Sequence, residues 1–420
     1  IILDSYTSDL LCNQTIPKRL LSVFKSRGFL DGYSACFCSK SIKPEFFMID
    51  LTSRCNMACK YCLRDIHSDG ETMSEEILKQ ICEYIVDYCN ETNLSHVSIQ
   101  AWGGEPLLEW KSILAMRKWI QPDTTKVHFS IETNATLLSE GILNKLYDAR
   151  IGIGISIDGT EQCHNKQRVF VSGKETHTIV ETNLRRALDK YGKRLGTITT
   201  ITTQNCNQIA DIIEYFAVDL GLRNIKCNFV HESKFAVNAR NLCLSKEEIV
   251  ATELKLLDKI VELTERGYHI QEKNILTKIR NLLFSEYSDI CLSRGCNGGK
   301  KMIVFDRLGN IYPCELTDFP EEAIGNIRET DKSLIDIVKN SMATNVYFIA
   351  KHMEKCDTCP WYLYCGGGCT VRILNSGSQP PAVDEIECAV NSALYPAIIE
   401  LVLTKPQVIN TMLGYEAVVL

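Results

Sequence analysis

Between residues 46 and 230 the chain repeatedly alternates a short run that reads as a β-strand with a longer run of helical period. The strand-like runs are FFMIDLT (46–52), HVSIQAW (96–102), KVHFSIE (126–132), IGIGISI (151–157), TITTITT (197–203) and IKCNFV (225–230). Several place apolar residues at every second position, as in Val97/Ile99/Ala101 and Val127/Phe129/Ile131. In 73–91, Ile77, Ile81, Tyr84, Ile85 and Tyr88 recur on one helical face, with Thr72 and Glu75 as a capping box ahead of them. Strand–helix alternation predicts a parallel sheet with helical crossovers, open or curled into a barrel. Chemistry in such sheets sits at the carboxyl ends of the strands, and each motif below falls at one.

Cysteine is the compositional anomaly: 20 of 420 residues, too many for an ordinary large protein and too sparse for a small disulfide scaffold. The first residues, IILDSYTSDLL, lack the basic and apolar regions of a signal peptide, and no window of about 18 uncharged apolar residues is found. The expected location is therefore the cytoplasm, where reducing conditions leave thiols free as metal ligands. A net charge of −6 gives no electrostatic reason to expect nucleic acid as partner. The expected organisation is an N-terminal extension (1–44), a β/α unit (45–244), a bridging helical segment (245–290), a cysteine-rich unit (291–400) and a tail (401–420). The cysteine-rich unit has a small core that needs metal to hold it.

Residues 52–65 read TSRCNMACKYCLRD, placing Cys55, Cys59 and Cys62 at C-x3-C-x2-C just after the first strand. An iron–sulfur cube takes four ligands, so three thiolates leave one iron open. A zinc site would want a fourth Cys or His close by, and three incidental thiols are the bland alternative.

This loop resembles the signature of the radical S-adenosylmethionine (SAM) enzymes. The resemblance implies a partial (β/α)6, TIM-like barrel. In that family the amino and carboxylate groups of SAM chelate the open iron. Reductive cleavage of SAM then yields a 5′-deoxyadenosyl radical that abstracts hydrogen from substrate. Tyr61 matches the family's aromatic residue near the adenine. In WGGEP after the second strand, Gly103 and Gly104 allow close backbone approach, and Glu105 is suited to the SAM ammonium. Thr133 and Asn134 after the third strand suit the methionine end; the family often has Gly where Ala135 stands. Ser156 and Asp158 in SIDG suit the ribose hydroxyls, and Arg168 resembles a family arginine that pairs with the SAM carboxylate.

Downstream, Cys296-x12-Gly309-x4-Cys314 is followed by Cys356-x2-Cys359-x5-Cys365-x3-Cys369 and finally Cys388. This array resembles the SPASM domain found behind radical SAM enzymes that act on peptides. By that resemblance Cys291, Cys296, Cys314 and Cys369 hold one auxiliary [4Fe-4S] cluster, and Cys356, Cys359, Cys365 and Cys388 a second. The expected cofactors are thus SAM and three [4Fe-4S] clusters. Among the remaining cysteines, Cys82 and Cys89 read as small buried hydrophobes, and Cys227 faces either the barrel lumen or the core.

The family resemblance implies a maturase that cross-links a ribosomally made precursor peptide, most readily through a cysteine thioether. The alternative is an anaerobic sulfatase maturase forming formylglycine. Those enzymes carry Asp after YPC, where this chain has Glu315. Glu315 and His164 are the candidate catalytic residues. The expected partners are a precursor peptide with its leader and an electron donor such as flavodoxin or ferredoxin, without nucleic acid or membrane. A non-catalytic electron carrier or zinc scaffold is the competing class, and it has no need of GGE, TN and SID motifs at consecutive strand ends.

Overall fold

The computed structural model describes residues 42–64, 70–231, 237–284, 289–291, 295–317, 322–329, 332–344, 356, 359–375 and 382–415. Residues 1–41 of the N-terminal extension, with Cys12, Cys36 and Cys38, lie outside them.

The six expected strands are present as β1 (Phe46–Asp50), β2 (His96–Trp102), β3 (Lys126–Thr133), β4 (Ile151–Ser156), β5 (Gly196–Ile201) and β6 (Asn224–Phe229). They pair in chain order and all parallel. The sheet extends at both edges among the described residues. β7 (Gln271–Glu272) joins β6 in parallel, and β8 (Met302–Phe305) joins β1 in parallel. β9 (Asn310–Tyr312) and β10 (Gly325–Asn326) then add antiparallel beyond β8. The first hairpin of the cysteine-rich region is therefore built into the same sheet as the β/α region.

Helices α1 (Glu75–Thr92), α2 (Trp110–Trp119), α3 (Glu140–Asp148), α4 (Glu161–Asn165), α5 (His177–Tyr191) and α6 (Ile209–Glu214) lie between successive strands. The bridging segment forms α7 (Lys246–Glu265) and α8 (Lys273–Phe284), and α9 (Leu334–Thr344) follows β10. Two short helices, α10 (Tyr362–Cys365) and α11 (Thr370–Asn375), precede the terminal pair α12 (Glu385–Thr404) and α13 (Pro406–Leu413).

Strand side chains alternate between two environments, as the pleat requires. Phe47, Ile49, Val97, Ile99, Ile131, Ile153, Ile155 and Ile225 are buried on the helix-covered face. The opposite face carries Gln100 and Trp102, Ser130 and Glu132, Gly152, Gly154 and Ser156, Ile198 and Thr200, and Lys226. Small residues on β4 leave room there: a Cβ on Gly154 would meet Glu132 Cγ and Ile198 Cδ1 at 3.5 Å. Cys227 is buried on the helix side, its N–H donating to Glu272 Oε1 at 2.9 Å. Cys82 and Cys89 are fully buried in α1, as small apolar side chains.

Two local expectations are corrected. The cap of α1 is Ser74, whose hydroxyl accepts from Ile77 N–H at 3.2 Å. Thr72 instead bridges Thr52 beside the cysteine loop, because that backbone pairing uses it before the helix begins. One described helix, α12, is long and apolar enough to cross a membrane by length and composition. Its apolar face, Val390, Leu394, Tyr395, Ile398 and Val402, is buried, and the helix packs on α7 and α13, which is how a core helix of this composition is used.

A buried ion chain ties the bridging helices to the cysteine-rich region. Lys278 Nζ donates to Glu387 Oε1 at 2.8 Å, and Arg372 donates to both Glu387 Oε2 at 3.1 Å and Asp384 Oδ2 at 2.6 Å. Nearby, Glu253 is buried with Oε2 lacking a hydrogen-bond partner, and burial together with the Glu272 charge pushes its pKa up to about 8. Burial pushes Glu272 up to about 7. An acid raised on folding binds its proton more tightly in the native state, so its contribution is complete below pH 4.5 and is lost as pH rises through 8. Stability measured by urea unfolding should therefore fall between pH 5 and pH 9. Glu253→Gln should flatten that fall, recovering on the order of 3–5 kcal/mol at the alkaline end.

Candidate functional site

The segment leaving β1 passes over the carboxyl ends of the neighbouring strands and is held from several sides. On the β2 side, Gly104 N–H donates to Thr52 O at 2.7 Å and Glu105 N–H to Arg54 O at 2.9 Å. This contact explains the paired glycines: a Cβ on Gly104 would stand 2.2 Å from Arg54 O, and one on Gly103, at φ +138°, 2.4 Å from Thr52 O. What approaches these glycines so closely is the cysteine loop's own backbone. Beyond β4, Ala58 N–H donates to Val169 O at 2.8 Å, Lys60 N–H to Gln167 O at 2.9 Å and Val171 N–H to Asn56 O at 3.2 Å. Met57 and Phe170 form an isolated bridge between the two segments.

Side chains complete the hold. Asn134 Nδ2 donates to Asn56 Oδ1 at 2.9 Å, and Asn56 Nδ2 donates to Thr136 Oγ1 at 2.8 Å. At the loop's exit, Asp50 Oδ2 accepts from Arg64 at 2.5 Å and from Arg307, in the β8–β9 turn, at 2.6 Å. The Arg64 guanidinium lies 4.0 Å from the Trp102 ring centroid. One carboxylate thus fastens the cysteine loop to the hairpin of the C-terminal region.

Three sequence-based roles need correction. Glu105 is 1% exposed, and its carboxylate accepts from Leu107 N–H at 2.9 Å, Thr133 Oγ1 at 2.6 Å and Asn134 N–H at 2.8 Å. It and Thr133 buckle the ends of β2 and β3 together beneath the loop, with no open face for a ligand. Asp158 is fully buried and accepts from Tyr61 Oη at 2.7 Å, Gln167 Nε2 at 2.9 Å and Thr200 N–H at 3.0 Å, so it orients Tyr61 and has no face toward a ribose. His164 is fully buried: its Nδ1 accepts from Asp158 N–H at 3.3 Å, which leaves Nε2 as the donor to Thr176 Oγ1 at 3.0 Å. Burial and the Arg168 charge hold His164 well below its ordinary pKa, the state of a neutral structural imidazole. Ser156 stands half-buried on the open sheet face.

The loop's electrostatics suit thiolate ligands. Burial pushes Cys55 up to about 12, and it pushes Cys59 up to about 11 against the Arg168 charge, so these thiols stay protonated until positive charge joins them. Arg168 donates to Tyr61 Oη at 2.5 Å, and its Nε is a buried donor without a partner, placed to meet an anionic group. Among the described residues no three His, Cys, Asp or Glu side chains converge on a single metal ion. Ligands of a four-iron cube stand farther apart than those of one ion.

The C-terminal cysteines gather in two sets. Cys356, Cys359, Cys365 and Cys388 line one small cavity of about 20 Å³, with Trp361, Asp384 and Asn391. Around Cys314, burial and then the charges of Glu315, Cys296, Cys291 and Cys369 push the thiol well above its ordinary pKa, which puts these groups in one neighbourhood. A Cβ on Gly295, at φ +85°, would stand 2.7 Å from Gly366 O, so the backbone before Cys296 runs close to the segment carrying Cys365 and Cys369.

Sequence reading passed over Glu132 and Lys226, which face the open side of the sheet. Burial raises the Glu132 pKa against Lys226; burial opposes the Lys226 charge, but Glu132, Cys291, Asp289 and Glu315 outweigh it. The available signal was their phase: both are charged positions opposite the apolar ones in IET and IKC. Glu315, a sequence candidate, shares this neighbourhood, and its Oε2 lies 3.3 Å from Cys314 Sγ.

Ala135 is buried at φ +59°, a conformation that favours glycine. Ala135→Gly should leave cofactor loading unchanged and raise stability by about 1 kcal/mol in thermal melts. Gly104→Ala should lower iron loading and stability together, because Arg54 O blocks the added carbon.

Residues 49–216 match the family model described as the radical SAM superfamily, and residues 296–360 that of an iron–sulfur cluster-binding domain, SPASM. The cysteine-type anaerobic sulfatase-maturating enzyme of Clostridium perfringens is 25% identical over 332 residues, which are 76% of this chain and 86% of that enzyme. The structure of anSMEcpe with bound AdoMet and the Kp18Cys peptide superposes with a TM-score of 0.71 at 22% identity, covering 86% of this chain and 99% of that one. Streptococcus suis SuiB bound to its precursor peptide SuiA gives 0.60 at 15% identity, covering 90% and 88%. The cofactors that go with these domains are SAM and iron–sulfur clusters. The chain is an enzyme that carries a radical SAM domain followed by a SPASM domain.

Proposed function

We propose that the protein oxidises a cysteine or serine side chain within a peptide segment, in the manner of the sulfatase-maturating enzymes. The observation that carries this reading is the similarity to a sulfatase-maturating relative over most of both chains, coupled to a charged sheet face that joins the two cysteine regions. Cys55, Cys59 and Cys62 hold the SAM-binding [4Fe-4S] cluster; the two C-terminal sets hold auxiliary clusters. Asn134 and Ser156 at the strand ends would hold SAM, and the unpartnered Arg168 Nε would meet its carboxylate. When bound, this cofactor set supplies a 5′-deoxyadenosyl radical for hydrogen abstraction and an acceptor for the second electron. Asp158 and Arg168 keep the Tyr61 hydroxyl fixed beside the cysteine loop. Glu315, on the side of Cys314 that faces Lys226, takes the proton from the substrate side chain. Lys226 stands against Glu132 and within electrostatic range of Glu315, and the glycines of β4 leave the substrate room. The reduced state that thiolate ligands need supports a cytoplasmic location.

A second reading, cross-linking of a ribosomal precursor peptide, draws on Glu315 in place of the sulfatase maturases' Asp and on the N-terminal extension. The two differ in product. Reconstituted enzyme, SAM, reductant and a cysteine peptide should yield an aldehyde that has lost sulfur. A product that keeps sulfur and loses two hydrogens would favour the thioether instead. Cys59→Ala should abolish 5′-deoxyadenosine formation, whereas Cys359→Ala should retain part of it while losing the peptide product, both read by mass spectrometry. Retained SAM cleavage in Cys59→Ala would refute the assignment of the loop.

A further inference from the structure

The two C-terminal cysteine sets meet at one side chain. Cys365 belongs to the set that lines the small cavity and Cys369 to the set around Cys314, and only Gly366, Gly367 and Gly368 separate them, at φ 57°, 91° and 81°. The turn they make closes on Asp384. Asp384 N–H donates to Gly367 O at 3.0 Å, and a Cβ on Gly368 would stand 2.4 Å from Asp384 Cβ. The carboxylate is buried and fully bonded: Oδ2 accepts from Cys369 N–H at 3.0 Å and from Arg372 Nε at 2.6 Å. Oδ1 accepts from Ile386 and Glu387 N–H, each at 3.1 Å, which caps α12, the helix that carries Cys388. Asp384 also lines the cavity around which Cys356, Cys359, Cys365 and Cys388 gather. One buried carboxylate therefore binds the backbone of one set and borders the other.

Its partner Arg372 lies unevenly between the two. Arg372 follows Cys369 by less than a turn on α11 and shares Glu387 with Lys278. Burial pushes Cys369 up to about 11, and the Arg372 charge is the strongest influence opposing it. Burial pushes Cys365 up to about 12, and there the Glu387 charge adds to the rise ahead of the opposing Lys278. Burial and the Arg372 charge push His231, at the end of β6, down to about 3, so it adds no second cation. Glu315 bears on Cys291 and Cys314, and Asp289 and Lys226 bear on Cys291.

We propose that Asp384 and Arg372 are a positioning pair for the two auxiliary clusters: Asp384 holds the thiolate sets against each other, and Arg372 raises the reduction potential of the cluster on Cys369. The inference rests on the reading that each set holds a [4Fe-4S] cluster. Reduction adds one negative charge to a cluster, so a fixed cation beside one of its ligands favours the reduced state, and burial leaves that effect little screened. Because the cation stands by Cys369, it acts on one cluster more than on the other and biases where an electron comes to rest.

The test uses full-length protein, reconstituted without air, with Cys55, Cys59 and Cys62 replaced by alanine so that only the auxiliary clusters remain. Dithionite titration through mediators, followed by electron paramagnetic resonance, gives one one-electron wave per cluster. The wave that a further Cys359→Ala removes belongs to the Cys365 set. Arg372→Gln should lower the reduced-to-oxidised ratio of the Cys369 wave about tenfold at a fixed potential, a shift of about 59 mV, and move the other wave less. Arg372→Lys, which keeps the charge, should restore most of that shift. Asp384→Asn keeps an oxygen for the α12 cap but turns a donor toward Cys369 N–H. It should drop iron from about eight toward about four per chain, with the Cys369 wave the one lost. An unmoved Cys369 wave in Arg372→Gln, an equal shift of both waves, loss of that cluster outright, or a lysine variant that shifts as far as the glutamine would overturn the role of the charge. Full iron and two unmoved waves in Asp384→Asn would overturn the positioning role. A parent protein that binds no iron would instead refute the cluster assignment beneath the inference.

Discussion

The structure turns on a backbone clamp. Three cysteines within eight residues have little intrinsic reason to hold a fixed geometry, since loops of this length fluctuate. Here the loop is hydrogen-bonded through its main chain to Gly104 and Glu105 on one side and to Gln167, Val169 and Val171 on the other. Both contacts come from segments that follow strand ends, so the parallel sheet itself sets the position of the thiols. The glycines of GGE are part of this clamp, because any side chain there would occupy the space of Thr52 O and Arg54 O.

Charge is distributed to match. The interior beneath the loop holds carboxylates that are either saturated by hydrogen bonds, as Glu105 and Asp158 are, or paired with cations, as Asp50 is with Arg64 and Arg307. Buried thiols with raised pKa values then wait for positive charge, and Arg168 supplies a fixed part of it. A second charged group, Glu132 and Lys226, stands on the open sheet face within electrostatic range of Glu315 and Cys291. Because β8 pairs with β1, the region bearing Glu315 is continuous with the sheet, and the two cysteine regions share one framework.

Much of this was legible in the amino-acid order. Period-two runs placed all six parallel strands within a residue or two at either end, because strands buried on one face advertise their pleat. The C-terminal cysteine spacings marked thiols that the fold brings together, as Cys356, Cys359, Cys365 and Cys388 around one cavity, and the absence of glycine at Ala135 marked a real oddity, a left-handed alanine. Side-chain roles were less legible. Asp158 and His164 look like ligand-binding or catalytic groups in sequence, yet they are consumed by Tyr61, Gln167 and Thr176, partners whose proximity only the folded sheet creates. The Asp50–Arg307 pair joins residues 257 positions apart, so no local pattern signals it. Lys226 was hidden for the opposite reason: a lone lysine in a strand usually marks a solvated face.

The measurement that bears most directly on this account is the iron and acid-labile sulfide content of anaerobically prepared protein, in wild type and in a variant with Cys55, Cys59 and Cys62 replaced by alanine. Three cubes predict about twelve irons per chain, falling to about eight in the variant with SAM binding lost. Equal iron in the two proteins, or zinc in place of iron, would contradict it.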